Sequence, residues 1–297
     1  MTIPETQLDT WAKQGAGIGS RDTYAQIKAV LESTGSPYFT RDFDVFLQGS
    51  YGNDTNIYSE SDVDIVIQLT SSFQYGLEDL SVEQKSAFQA AYTGGVSYSL
   101  TTFKQEVLAH LQARYGTDVV SGKRAINILA NGNRRSADVI VCMDYRRYRQ
   151  FSTTANQSYY EGIFFKASDG TSVKNYPKFH SANCTAKHQA TSSYYKPTVR
   201  IFKNLRSKLI ATGALQPGDA PSYFIEGMLW NVPNENFGRS YQETVLNCLV
   251  WLNGCDRSKL VCANDQYMLL HPTSPVTWTV EKFEKFLAAA CTLWSDW

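Results

Sequence analysis

The 297-residue chain has no excess of charge of either sign: 28 Lys and Arg balance 28 Asp and Glu, for a formal net charge of zero. Proteins that grip long nucleic acid through its phosphates carry a basic excess or a basic face, so no long nucleic acid is expected as a partner. Of the six cysteines, none forms a C-x-x-C pair, and the regular spacing of Cys248, Cys255 and Cys262 is not a zinc spacing. The four histidines do not lie near those three in sequence. Buried thiols in a reducing compartment are the expectation instead. The start, MTIPETQLDTWAKQ, lacks the apolar region of a signal peptide, and no apolar run is long enough to span a membrane. There is no internal repeat, low-complexity tract or long linker. These absences leave a cytoplasmic globular protein as the expectation.

Hydrophobic residues make up 43% and charged residues 19%, a balance that supports a sizeable core. With 18 Tyr and 15 Phe the chain could stack on bases, although cores use aromatics more often.

The chemistry concentrates in residues 46–69, FLQGSYGNDTNIYSESDVDIVIQL. A short apolar run ends at a Gly49-Ser50 turn. A polar loop then leads to Asp62-Val63-Asp64-Ile65-Val66-Ile67. In a strand, residues i and i+2 share a face, so Asp62 and Asp64 project together. Two carboxylates so placed repel unless a cation sits between them, and Mg²⁺ takes oxygen ligands from one or two carboxylates and substrate phosphates. The glycine turn offers backbone N–H groups and the Ser50 hydroxyl to phosphate oxygens. The stretch resembles the nucleotidyltransferase superfamily of DNA polymerase β, whose pattern is GS followed by D-x-D. The plainer reading is a β-hairpin with a polar rim.

The rest of the chain supports a mixed sheet with helices on it. Residues 6–34 read as helical with a break at Gly15-Ala16-Gly17. Residues 44–48 read as a strand. Ser81 reads as a helix N-cap with Gln84 completing a capping box, and helix continues intermittently to Arg114 across a Gly94-Gly95 break. Short strands are expected at Val119-Val120 and residues 125–129, then a turn at Asn131-Gly132. The run SADVIVCMDY follows, a β-rich segment with Asp138 near its start and Asp144, of the same parity, near its end. The superfamily places a third carboxylate on a later strand, and Asp138 matches because it repeats the Asp-then-apolar order of Asp64. Arg134, Arg135, Arg146, Arg147 and Arg149 cluster here, as a solvated strand edge or as contacts to triphosphate or RNA. Residues 159–177 read as a hairpin turning at Asp169-Gly170. Helices are expected at residues 198–211, from Ser222 to near Pro233, and at residues 241–252 and 280–293.

The strings NYPKFHSANCTAKHQ, YKPTVRIFKNLRSKL and APSYFIEGMLWNVPNENF resemble the bacterial CD-NTases, cyclic-oligonucleotide synthases related to animal cyclic GMP-AMP synthase. The resemblance covers nearly the whole chain. It implies that Lys203 contacts triphosphate, that Ser222 contacts phosphate and that Tyr223 stacks on a base. Read alone, these are a solvated helix lysine, an N-cap serine and a core tyrosine. Asn175 and Asn183 could read a base edge through their amides; by themselves they read as loop-stabilising turns. His180, without a recognisable acid partner, reads as structural.

The expected architecture is α/β (α+β): a polymerase β-like core in residues 1–150 with an N-terminal bracing helix, and a mostly helical lobe in residues 151–297 that completes a nucleotide cleft. The expected site comprises Asp62, Asp64 and Asp138 as catalytic metal ligands, with Gly49, Ser50, Lys203, Ser222, Tyr223, Asn175 and Asn183 binding nucleotide. The resemblance implies two Mg²⁺ ions (Mn²⁺ as the alternative) and nucleoside triphosphates as substrates. It also implies a cyclic product read by a separate effector in antiphage signalling. An enzyme modifying RNA ends, an antibiotic or a protein is the first alternative; an inactive nucleotide-binding scaffold is the second.

Overall fold

The computed structural model describes residues 2–15, 18–58, 62–95, 98–274 and 276–297. In chain order the elements are α1 (Glu5–Ala12), α2 (Ile18–Leu31), β1 (Phe43–Leu47), α3 (Gly49–Gly52), β2 (Val63–Gly76), α4 (Val82–Ala91), α5 (Leu100–Tyr115), β3 (Val119–Ser121), β4 (Ile126–Ile128), β5 (Ala137–Thr153), β6 (Asn156–Lys166) and β7 (Ser172–Asn175). The remaining helices are α6 (Pro177–Ala190), α7 (Tyr195–Ala211), α8 (Ser222–Asn231), α9 (Tyr241–Gly254) and α10 (Val280–Ser295). The helix break at Gly15-Ala16-Gly17 lies partly outside the described residues, as does the Ser59-Glu60-Ser61 end of the polar loop before Asp62.

The chain divides into two compact units, one of Gly19–Leu47 and Asp62–Tyr176, the other of Met1–Ile18, Gln48–Ser61 and Pro177–Trp297. The division expected at residue 150 falls inside β5, because that strand carries the sheet on into β6 and β7.

The first unit is a seven-stranded mixed sheet ordered β1-β2-β5-β4-β3, with β6 joined to β5 and β7 to β6. β2 and β5 run parallel, and every other named pair is antiparallel. Val63, Ile65, Ile67 and Leu69 of β2 and Val139, Val141 and Met143 of β5 are buried, and so are Val66 and Cys142 on the other parity. Burial on both faces explains the continuous apolar runs of these central strands. The capping box is formed: Gln84 N–H donates to Ser81 Oγ, and Ser81 N–H donates to the Gln84 side chain. The helix it starts packs Phe88 into a cluster with Leu80, Tyr148 and Phe151.

Arg149 of the arginine cluster is exposed, as a solvated edge requires, but Arg134, Arg146 and Arg147 are engaged within the unit. Arg134 pairs with Asp118 at 2.6 Å and lies over the Tyr115 ring. Arg147 pairs with Asp79 at 2.9 Å, and Arg146 sits 4.1 Å from the Phe73 ring centre. The unit's own acids and rings take up these cations.

The second unit is helical. Its core joins Leu8 of α1 to Val199, Phe202, Leu205 and Leu209 of α7, Ile225 and Met228 of α8, Val245 and Leu252 of α9, and Phe283 and Phe286 of α10. α7 presents the apolar face read from its sequence but begins at Tyr195, where the Thr191 hydroxyl accepts from Tyr195 N–H. Segment NYPKFHSAN, which reads as Asn turns, instead leads into α6. Pro177 starts the helix, where a missing N–H costs nothing, and the buried pair His180 and Cys184, one turn apart, supplies its inner face. Among the described residues no helix is long and apolar enough to cross a membrane, and no disulfide is present.

Candidate active site

In the sheet unit, Asp64 is paired directly with Asp138 in the β2/β5 register. Adjacent strands lie about 4.8 Å apart, so these half-buried carboxylates are neighbours. Asp62 precedes β2 by one residue, shares Asp64's parity and is exposed. Neutral donors orient two of the three: Ser136 Oγ–H bonds to Asp62 Oδ1, and Asn127, across from Asp138 on β4, donates to Asp138 Oδ1 at 2.5 Å. Asp64 and Asp138 side by side, with Asp62 on the same parity, offer carboxylate oxygens, the hard donor type that fits Mg²⁺.

Asp144 is in a different environment. It is paired opposite Phe73, beyond the irregularity in the β2/β5 register, and is 6% exposed. It accepts from Gln68 Nε2 at 2.5 Å and from Arg146 at 3.4 Å. Burial raises its pKa against the opposing pull of Gln68 and Arg146.

In the helical unit, Gly49 takes a φ of +66°, a left-handed conformation that favours glycine, and opens the single turn of α3. The Thr55 N–H bonds to the Ser50 carbonyl and the Asn53 N–H to that of Gly49, closing the segment on itself. Lys203 is not a solvated lysine. It is fully buried, and its Nζ donates to Ser50 Oγ and to the Thr55 carbonyl, each at 2.8 Å. The structure thus brings together the hydroxyl and the ammonium assigned separately to phosphate.

Ser222 is the first residue of α8, not its N-cap, which is Pro221. Its hydroxyl accepts from Arg206 at 3.0 Å. Sequence reasoning missed Arg206, although it lies three residues after Lys203, the spacing of one helix face. Tyr223 is half-buried. Its ring stacks on His180, with centroids 4.5 Å apart and planes 21° apart, and its hydroxyl accepts from Asn264 at 2.9 Å. Asn183 donates to the Ala263 carbonyl at 2.8 Å, and the Asn175 side-chain oxygen accepts from Tyr176 N–H.

His180 does have an acid partner, Glu226, 2.6 Å from Nε2, with both residues buried. Burial alone would push the imidazole down, but Cys184 and Glu226 carry its pKa up to about 10. Burial would likewise raise the Glu226 carboxyl, yet His180, Lys203 and Thr55 hold it below its ordinary value. His180, Cys184 and Glu226 also place ligand-type atoms within 4.8 Å of one another. However, both Glu226 oxygens already accept from protein donors, which makes the group an ion pair in a hydrogen-bonded core.

Residues 182–295 match the model of the cGAS/DncV-like nucleotidyltransferase C-terminal helical domain. The chain is 38% identical over its full length to the cyclic UMP-AMP synthase of Rhodothermus marinus, covering 99% of that protein. The chain belongs to the bacterial CD-NTases. A second family member, the cyclic nucleotide synthase CdnE01 of Staphylococcus haemolyticus, is 34% identical over the whole of both chains. The solved structure of the Rhodothermus marinus CD-NTase, with Apcpp and Upnpp, superposes with a TM-score of 0.88 over 99% of this chain and 97% of that one. This CD-NTase is accordingly a nucleotidyltransferase with a polymerase β-like fold.

Proposed function

We propose that this CD-NTase joins two or three nucleoside triphosphates into a cyclic oligonucleotide, releasing pyrophosphate at each bond. The observation that carries the reading is the direct pairing of Asp64 with Asp138 across parallel β2 and β5, with Asp62 on the parity of Asp64. In each round a sugar hydroxyl oxygen bonds to the donor's α-phosphorus, the bond to the pyrophosphate oxygen breaks, and the hydroxyl proton passes to solvent. Asp62, Asp64 and Asp138 would hold two Mg²⁺ ions, with Mn²⁺ as the alternative, which when bound would supply Lewis-acid stabilisation of the developing charge. Gly49, Ser50, Lys203 and Ser222 hold phosphate oxygens, with Arg206 orienting the Ser222 hydroxyl. Tyr223, whose ring stacks on His180, is the side chain that stacks on a base.

The product contains at least one pyrimidine. Two things support this: the similarity to a cyclic UMP-AMP synthase, and the amides of Asn175 and Asn183, which can present donor and acceptor to a base edge. In the cell the enzyme acts in the cytoplasm, and its product is an antiphage signal read by a separate effector.

The test is incubation with labelled NTPs and Mg²⁺, followed by phosphatase. A phosphatase-resistant cyclic product is expected. Label carried only on an added RNA, antibiotic or protein would replace this reading with group transfer, and nucleotide binding without turnover would make the protein a scaffold.

A further inference from the structure

The phosphate-holding segment and the base-stacking ring share one buried anchor. Glu226 is 2% exposed. Its Oε2 accepts from Asn53 Nδ2 at 3.0 Å and faces His180 Nε2 at 2.6 Å, while its Oε1 accepts from the Thr55 hydroxyl. Asn53 and Thr55 belong to the closed segment that begins at Gly49-Ser50, and Lys203 ties that segment from the other side through Ser50 and Thr55. The opposite arm is His180, whose ring is the floor on which Tyr223 stacks. The Glu226 carbonyl accepts from Tyr195 at 2.8 Å, which fixes the α8 backbone to the start of α7.

We infer that Glu226 is a positioning residue: through Thr55 and Asn53 it sets the Ser50 hydroxyl for the triphosphate, and through His180 it sets the Tyr223 ring for the base. The inference rests on the nucleotide-binding roles proposed above for Ser50, Lys203 and Tyr223. The physical reason is that a carboxylate without access to water needs every lone pair satisfied. Its donors therefore cannot move independently of it. A shift of Ser50 large enough to spoil a phosphate contact would break the Thr55 or Asn53 bond to a buried charge.

The experiment compares Glu226→Gln, the double variant Asn53→Ala/Thr55→Val and Leu252→Ala with the parent. Leu252 contributes apolar packing on α9 and serves as a control for lost stability alone. Three quantities are measured: Tm, affinity for a non-hydrolysable NTP analogue and for inorganic tripolyphosphate, and the KM and kcat of synthesis. Glu226→Gln is expected to weaken analogue binding and raise KM about tenfold or more. Thr55→Val, combined with Asn53→Ala so that both phosphate-side bonds are removed and the His180 arm is kept, should weaken tripolyphosphate and the NTP analogue by the same factor. Leu252→Ala should lower Tm without changing affinity. If Glu226→Gln fails to fold, the double variant carries the test. Unchanged tripolyphosphate affinity in the double variant overturns the inference, as does a loss in Glu226→Gln no larger than in Leu252→Ala at matched Tm. Ser50→Ala and Lys203→Met separate the two levels. If neither weakens tripolyphosphate, the proposed phosphate site itself is wrong; if both do while the double variant does not, only the positioning role falls.

Discussion

Asp62 and Asp138 in the sheet unit and Glu226 in the helical unit are carboxylates held in opposite ways. In the sheet unit Asp62 is exposed, Asp64 and Asp138 are half-buried side by side, and Asp62 and Asp138 accept from the neutral Ser136 and Asn127. In the helical unit Glu226 is sealed from water and answered by an imidazolium, an amide and a hydroxyl. Neutral donors aim a carboxylate without cancelling its charge, so it remains able to recruit a cation. A charged donor in a dry site completes the carboxylate, and it then serves as a fixed point. Net charge and acid count cannot distinguish these cases, whereas burial and the identity of the donor can.

The sharpest way to break the comparison is to neutralise the acids of the sheet unit. Asp62→Asn and Asp64→Asn should each lower turnover at least about a hundredfold, the scale for removing one preorganised electrostatic group, with Tm unchanged or raised because like charges are separated. Pyrophosphate release and calorimetry check this, and near-parental turnover would remove these residues from the metal site.

Asp138 and Asp144 lie on one strand yet should separate cleanly. Asp138→Asn should abolish synthesis with little effect on folding. Asp144→Asn should leave synthesis within a few-fold while costing about 1–3 kcal/mol of stability, since it disturbs a buried bonded group. The reverse pattern in paired assays and urea melts would give Asp144 the catalytic role.

Tyr223→Ala should weaken use of all four NTPs together by about 1–3 kcal/mol, read as a common rise in KM. A change confined to one base would mean that the ring reads edges instead of stacking.

The buried pair predicts a pH dependence of stability. His180 has a folded pKa of about 10 against an ordinary 6.5, so its stabilisation is complete below about pH 6.5 and is lost as pH rises towards 10. The Glu226 pKa is lowered from 4.5, so its share is complete above about pH 4.5 and is lost in acid. The stability advantage of the parent over His180→Gln, measured by urea midpoint, should therefore shrink from pH 6.5 to pH 9.5. A constant gap would mean that the pair is not ionised.

The smallest effects are expected from Asn175→Ser and Asn183→Ser, which should shift the ratio of bases incorporated more than the total rate. NTP competition measures this, and an unchanged ratio in both removes them as base readers.

Much of the sheet unit was legible in sequence, because β-branched runs follow Asp62, Asp64 and Asp138 and strand parity puts Asp62 and Asp64 on one face. The choice of Asp138 over Asp144 as Asp64's neighbour was legible too, from the repeated Asp-then-apolar order. Other features were not. α6 escaped because its inner face is His180 and Cys184, which hydrophobic periodicity does not count as a stripe. The acid partner of His180 lies 46 residues on in a different helix, and only tertiary packing brings it near. Arg206 was passed over because a surface-like arginine in a basic helix carries no mark until its bond to Ser222 is seen.

The discontinuity of the helical unit bears on synthesis at the ribosome. Domains tend to fold as units while the chain emerges, and the sheet unit is complete in sequence once Tyr176 has appeared. The Gly49-Ser50 segment leaves the ribosome much earlier, yet its anchors, Lys203 and Glu226, are among the residues translated afterwards. A chain released prematurely near residue 176 would carry all three aspartates but neither Lys203 nor Glu226. In such a product the Gly49-Ser50 segment would lack both of its anchors, which are encoded in the final third of the message.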